Sequence, residues 1–237
     1  MSDTDNQTGV AAGAQSGDKV IRLTAMRSMI ASKMLESLST SAQLTHLGEC
    51  DTTGLAAMKS RLLGAGLKVS VEDLIIEATV QALRAYPGLN GHLQNNEIQL
   101  KSAIHVAVAV ALPGDLLVAP AIFDAGAKTL PERVAARREL VERAKINKLT
   151  VKEMTGGTFT ISNIGLTRVR HFTPILNIPQ IAILGVGETA LRPWVVNGKV
   201  EVRPIMGLSL TFDHRAVNGA PAADFLTALM NIIEHMA

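Results

Sequence analysis

The stretch Met206–Leu226 constrains the fold most, because a strand, an abrupt stop and a helix start follow one another within it. Met206, Leu208, Leu210 and Phe212 alternate with Gly207, Ser209 and Thr211, and this period of two predicts a strand with one buried face. The strand runs out at Asp213-His214. Asn218-Gly219 then supplies a turn or cap, Pro221 suits a first helical turn, and Phe225, Leu226, Leu229, Ile232 and Ile233 recur at helical spacing. A histidine is therefore expected on a rigid frame. Taken alone, an imidazole near a strand end is more often structural than catalytic.

The chain before it alternates helical and strand patterns. From Thr24, Met26, Ile30, Met34 and Leu38 recur every four residues, with Arg27 on an adjacent face. Leu44 to Asp51 mixes apolar and polar residues as a strand does, and His46 within it is read as structural. Ser70-Val-Glu-Asp73 has the form of a helix-start box, and the buried helix it opens is ended by Pro87-Gly88. Ile104 to Leu112 alternates bulky residues with alanines and predicts one strand; Leu116 to Ile122 predicts another. Thr129-Leu-Pro-Glu132 is a second start box, and the charges of the helix running to about Lys148 are expected to form a solvated face. Thr158 to Ser162 and Ala182 to Val186 predict strands, and Asn197-Gly198 predicts a hairpin turn. Gly185-Val-Gly187 lacks the third glycine and the following helix of a dinucleotide site.

Composition removes several function classes. With 47% hydrophobic residues among 237, the chain has material for a large core. A net charge of +2 and 3% aromatics argue against nucleic acid as a partner. No apolar run is long enough to cross a membrane. Cys50 stands alone, and no cysteine–histidine spacing suits a metal, so a reducing cytoplasm is the expected compartment. Residues 1–19 are too poor in large apolar side chains to repay ordering and are expected to form a flexible tail, with one domain over residues 20–237.

Asp213-His214-Arg215-Ala216-Val217-Asn218-Gly219 resembles the Asp-His-Arg-x-x-Asp-Gly motif of the dihydrolipoamide acyltransferases, the core components of 2-oxo acid dehydrogenase complexes. Gly156-Gly157-Thr-Phe-Thr-Ile-Ser162-Asn-Ile-Gly165 resembles that family's serine-bearing segment, and Phe172 to Gly187 resembles the stretch next to it on the C-terminal side. The resemblance reaches back to Leu23-Thr-Ala-Met-Arg27. It implies an α/β (α+β) fold like that of chloramphenicol acetyltransferase, a mixed β-sheet flanked by helices, assembled as a trimer. No lipoyl domain or subunit-binding domain fits in the tail. Relatives also carry a hydrophobic C-terminal extension that links trimers into larger cores, and its absence after Ile232 makes an isolated homotrimer the expectation.

The resemblance also implies roles. His214 is the general base, Ser162 the hydrogen-bond donor to the tetrahedral intermediate, and the two come from neighbouring chains. Arg27 matches the arginine that braces the last residue of the histidine motif, here Asn218 where the family usually has an acid; Asp213 supports the histidine. Coenzyme A is a substrate, the lipoyl group is carried by another chain, complex components are candidate partners, and no metal is required. Phe123, where relatives often have arginine, points to an altered substrate path; Arg168 and Arg170, where many have glycine or an acid, either alter the lip of the channel or have no consequence. Two alternatives stand beside this reading: a non-catalytic scaffold of the same fold, and an acyltransferase to a different acceptor.

Overall fold

The protein is represented by a computed structural model that describes residues 19–113 and 116–236. The tail expected over residues 1–19 lies outside the described residues except for Lys19. The first half contains α1 (Ala25–Thr40), β1 (Gln43–Asp51), α2 (Thr53–Gly64), α3 (Val71–Ala85), a short 3₁₀ turn (Pro87–Leu89), and strands β2 (Gly91–Gln94) and β3 (Glu97–Leu100). Next come β4 (Val106–Val108), β5 (Val110–Leu112), β6 (Leu116–Val118) and β7 (Ala121–Ile122), then α4 (Leu130–Lys145) and α5 (Val151–Thr155). The chain closes with β8 (Phe159–Asn163), β9 (Ala182–Val196), β10 (Lys199–Asp213) and α6 (Gly219–Glu234).

Six strands make one mixed sheet in the order β1-β10-β9-β8-β4-β7. β1, β10 and β9 run antiparallel to one another in turn, whereas β8 is parallel to both β9 and β4. The expected mixed sheet flanked by helices is therefore what forms. Helix starts obey local chemistry. Thr24 caps α1 through its hydroxyl, and Ser70 and Asp73 satisfy each other's backbone donors at the start of α3. Glu132 accepts from both the N–H and the hydroxyl of Thr129 at α4. Asn197 and Gly198, with φ of 51° and 76°, turn β9 into β10 as a two-residue hairpin of this sequence must.

Four expectations need correction. The alternation in Met206–Phe212 does not mark one exposed face: Ser209 and Thr211 are 1% exposed. The bulky residues face the helices, where Leu226 and Met230 of α6 close over Gly48 of β1. The small and polar residues face the segment after β8, whose Phe172 ring lies against Gly185 and whose Arg170 carbonyl lies over Gly187 and Gly207. Burial on both sides is a property of that cover.

Second, Ile104–Leu112 is two strands. Ala109 turns its N–H to Ile161 O at 2.9 Å, leaving β4 in the main sheet while β5 pairs with β6. Leu116–Ile122 is likewise divided at Pro120, which has no N–H to donate, so that β6 and β7 join different sheets. Third, the charges of α4 are not all solvated. Arg133 is 5% exposed and donates to the carbonyls of Ala125 and Lys128 and to Glu77, while Arg137 reaches Glu72, Asp73 and Ser70 of α3. These ion pairs bridge the two helices.

Fourth, the apolar stripe of α1 is not buried in the single chain. Met26 and Leu38 are exposed and Ile30 and Met34 half-buried, because no described element of this chain covers that side. The helix is tied down at its far end, where buried Ser37 donates to Leu176 O at 2.7 Å.

Candidate active site

Asp213 ends β10, and its N–H still reaches across to Ile181 O at 3.0 Å. His214 leaves the sheet and anchors its own N–H on Ala42 O at 2.8 Å, which leaves the imidazole exposed. Its ring lies 5.9 Å from that of Phe212, which in turn is packed edge-on by His46 at 5.0 Å. His46 thus has the packing role expected of it.

The neighbour Asp213 is 3% exposed and carries the fixed charge of this corner. Burial alone would raise its carboxyl. Hydrogen bonds from the Arg215 side chain at 2.6–3.2 Å, from the Arg215 N–H at 3.0 Å and from the Ala42 N–H at 3.3 Å outweigh that and hold it below the ordinary carboxylate range. The Asp213–Arg215 pair therefore pins both sides of His214, and Arg215 was not singled out from the sequence. Asn218 is the N-cap residue of α6; its side chain makes no capping bond, and its carbonyl accepts from Ala222 N–H at 3.3 Å.

Arg27 sits in the first turn of α1, half-buried. The brace to Asn218 implied by the resemblance would join this turn to the start of α6. The first turns of α1 are largely exposed.

Ser162 is half-buried near the end of β8. It stands level with Gly185 on β9 and Ser209 on β10, all on the face covered by the segment after β8. His214 lies five residues beyond Ser209. At about 3.3 Å per residue and about 4.8 Å between strands, this puts the two residues roughly 16 Å apart along the strands and roughly 10 Å apart across them. One chain does not bring them to a common reacting atom. Two clefts, of about 280 Å³ beside His92, Lys101 and His105 and about 420 Å³ between α2 and β10, include neither residue.

Sequence reasoning missed the polar layer behind Ser162. Thr160 donates to Gln180 Oε1 at 2.6 Å, Thr45 and Thr211 share a 2.7 Å hydrogen bond, and Asn163 contacts Glu72. The signal was Asn163 itself, directly after Ser162; its partner 91 residues earlier left none. Among the described residues no group of three or more His, Cys, Asp or Glu is placed to hold a metal ion, and no helix is long and apolar enough to cross a membrane.

Comparison with known proteins agrees with this architecture. Residues 15–237 match the family described as 2-oxoacid dehydrogenases acyltransferase (catalytic domain). The chain is 41% identical over 223 residues to the dihydrolipoyllysine-residue acetyltransferase component of an acetoin cleaving system from Bacillus subtilis, covering 92% of this chain and 56% of that protein. It is 35% identical over 226 residues to a probable dihydrolipoyllysine-residue succinyltransferase component of the 2-oxoglutarate dehydrogenase complex from Schizosaccharomyces pombe, covering 92% and 50%. The chain thus spans about half the length of these curated relatives. Among solved structures, dihydrolipoamide acetyltransferase from Azotobacter vinelandii superposes with a TM-score of 0.85 at 32% identity, over 92% of this chain and 91% of that one. Chloramphenicol acetyltransferase superposes at 0.54 with 15% identity, over 86% and 94%, which shows the shared fold alone. The sheet order, the strand-end histidine and a family match over nearly the whole chain lead to one conclusion: this protein belongs to the acyltransferase catalytic-domain family of the 2-oxoacid dehydrogenases.

Proposed function

We propose that this chain transfers an acyl group, acetyl in the first instance, between dihydrolipoamide and coenzyme A. A thiol with an ordinary pKa near ~8.5 is mostly protonated at neutral pH, so the reaction needs a base. His214 takes the proton from the coenzyme A sulfur, which attacks the acyl-dihydrolipoamide carbonyl. The imidazolium then protonates the departing dihydrolipoamide sulfur. Negative charge gathers meanwhile on the carbonyl oxygen, where a donor contributes roughly 3 to 4 kcal/mol; Ser162 is that donor.

The observation that carries this reading is a spacing. The study of the A. vinelandii enzyme addresses a serine, a histidine and an asparagine in its catalytic mechanism, separated by 52 and 4 residues. Ser162, His214 and Asn218 have the same residue types at the same separations. Asn218 is on this reading a working member of the site, and the usual acid is dispensable. Acetyl is preferred because the B. subtilis relative is named for acetyl transfer, although the S. pombe relative is named for succinyl.

Ser162 and His214 stand well apart in one chain, and on this reading a homotrimer brings the His214 end of one sheet against Ser162 of the next. The lipoyl group arrives on another chain, in the cytoplasm, within a 2-oxo acid or acetoin-cleaving assembly. The test is the rate of acyl transfer between acetyl-coenzyme A and free dihydrolipoamide for the protein and for His214→Ala at equal trimer content. Loss of roughly 100-fold or more in the variant supports the reading. An intact trimer without turnover overturns it.

A further inference from the structure

Glu72 lies second in α3, and α3 has no use for it as a cap, because Asp73 already accepts from both the N–H and the hydroxyl of Ser70 at 2.8 and 2.6 Å. Its side chain is 21% exposed, and burial raises its carboxyl above the ordinary range against the opposing pull of Arg137 and Asn163. A carboxylate kept at that cost does something for its two partners. Arg137 gives it Nη1 at 3.2 Å, while its Nε and Nη2 are bound to Asp73 at 2.5 and 3.1 Å and Nη2 also to Ser70 Oγ at 3.2 Å. Asn163 is the second partner. Its Nδ2 donates to Glu72 Oε1 at 3.5 Å, and this fixes the amide so that Oδ1 accepts from the Gly165 N–H at 2.8 Å. That second bond closes the turn directly after Ser162, where Gly165 has no room for a side chain beside the Gly187 carbonyl.

We propose that Glu72, held by Arg137, is a positioning residue for Ser162: it sets the Asn163 amide and through it the end of β8. The proposal rests on Ser162 being the donor to the reacting carbonyl. It connects a helix-start box on α3 and an arginine on α4 to the site, none of which touches substrate.

The experiment is a double-mutant cycle in the intact oligomer, with Glu72→Ala, Glu72→Gln, Ser162→Ala and Glu72→Ala/Ser162→Ala. Turnover is read together with hydrogen exchange at the Gly165 amide. We expect Glu72→Ala to lower kcat roughly 10- to 100-fold with little change in KM, and Glu72→Gln, which still offers an acceptor to Asn163, to recover most of it. Added to Ser162→Ala, Glu72→Ala should cost almost nothing more. Exchange at Gly165 should rise in Glu72→Ala while Phe159–Ile161 stays protected. An equal loss in both backgrounds, or unchanged exchange at Gly165, overturns the positioning role and leaves Ser162 standing. Unchanged turnover in Ser162→Ala overturns the role of Ser162 and this proposal with it, even if exchange at Gly165 rises.

Discussion

Ser162 is level with Ser209 across the sheet, and His214 lies five residues past Ser209 along β10, so one chain holds the two well apart. A reaction that uses both needs them from different chains. Mixing His214→Ala with Ser162→Ala chains, each strongly impaired by itself, should therefore restore activity after subunit exchange. In a ring-like trimer with equal mixing, about one quarter of interfaces carry both intact residues. Recovery near that level is the expected result; none would mean that the residues do not share a site.

The Asp213–Arg215 pair holds the corner from which His214 projects. Arg215→Ala leaves a carboxylate whose side chain is 4% exposed without its main partner. Because Arg215 is itself 46% exposed, the cost should fall below that of a fully buried pair, at about 2 kcal/mol. Urea denaturation of the variant checks the value, and a loss of turnover larger than the loss of folded protein would show that His214 has moved as well.

Gly187 and Gly207 sit directly under the Arg170 carbonyl, where a Cβ would overlap backbone rather than a movable side chain. Gly187→Ala must therefore lift the segment that covers Ser209 and Gly185. A destabilisation of about 1–3 kcal/mol is expected, measured as a lower urea midpoint. Alanine at Gly64, where nothing lies within 4 Å, is the control and should be neutral or stabilising.

Acid should loosen the tie between α5 and α4. The Arg143 guanidinium, with help from the Thr150 N–H and hydroxyl, holds the Glu153 carboxyl down to about 2 from 4.5. The folded state thus binds fewer protons than the unfolded one between these values. This contribution is complete above about pH 4.5 and is lost as pH falls towards 2. Thermal melts of the protein and Glu153→Gln should differ most near neutrality and converge near pH 2; a gap that persists in acid would refute the assignment.

Much of this molecule was legible in local sequence. The caps at Ser70 and Thr129, the hairpin at Asn197-Gly198, and the strand that carries Asp213 into an exposed His214 each depend on residues within a few positions of one another. Their physics is complete over that distance. Ser162 and Asn218 were candidates from motif alone, because residue types and spacing are read in linear order.

What lay beyond the sequence depends on contacts between distant segments. The alternation of Met206–Phe212 specified a strand but not the cover over Ser209 and Thr211, which comes from residues some 40 positions earlier. The breaks at Ala109 and Pro120 came from which neighbour each strand found, and Arg133 and Arg137 read as solvated until α3 lay beside α4. The sequence by itself determined the helix starts, the hairpin and the strand that leads to His214, since those are set by short-range sterics and hydrogen bonding. Only the tertiary structure decided that Ser162 and His214 lie well apart on one sheet and that Glu72 stands behind Asn163, because strand order and register are fixed by long-range packing.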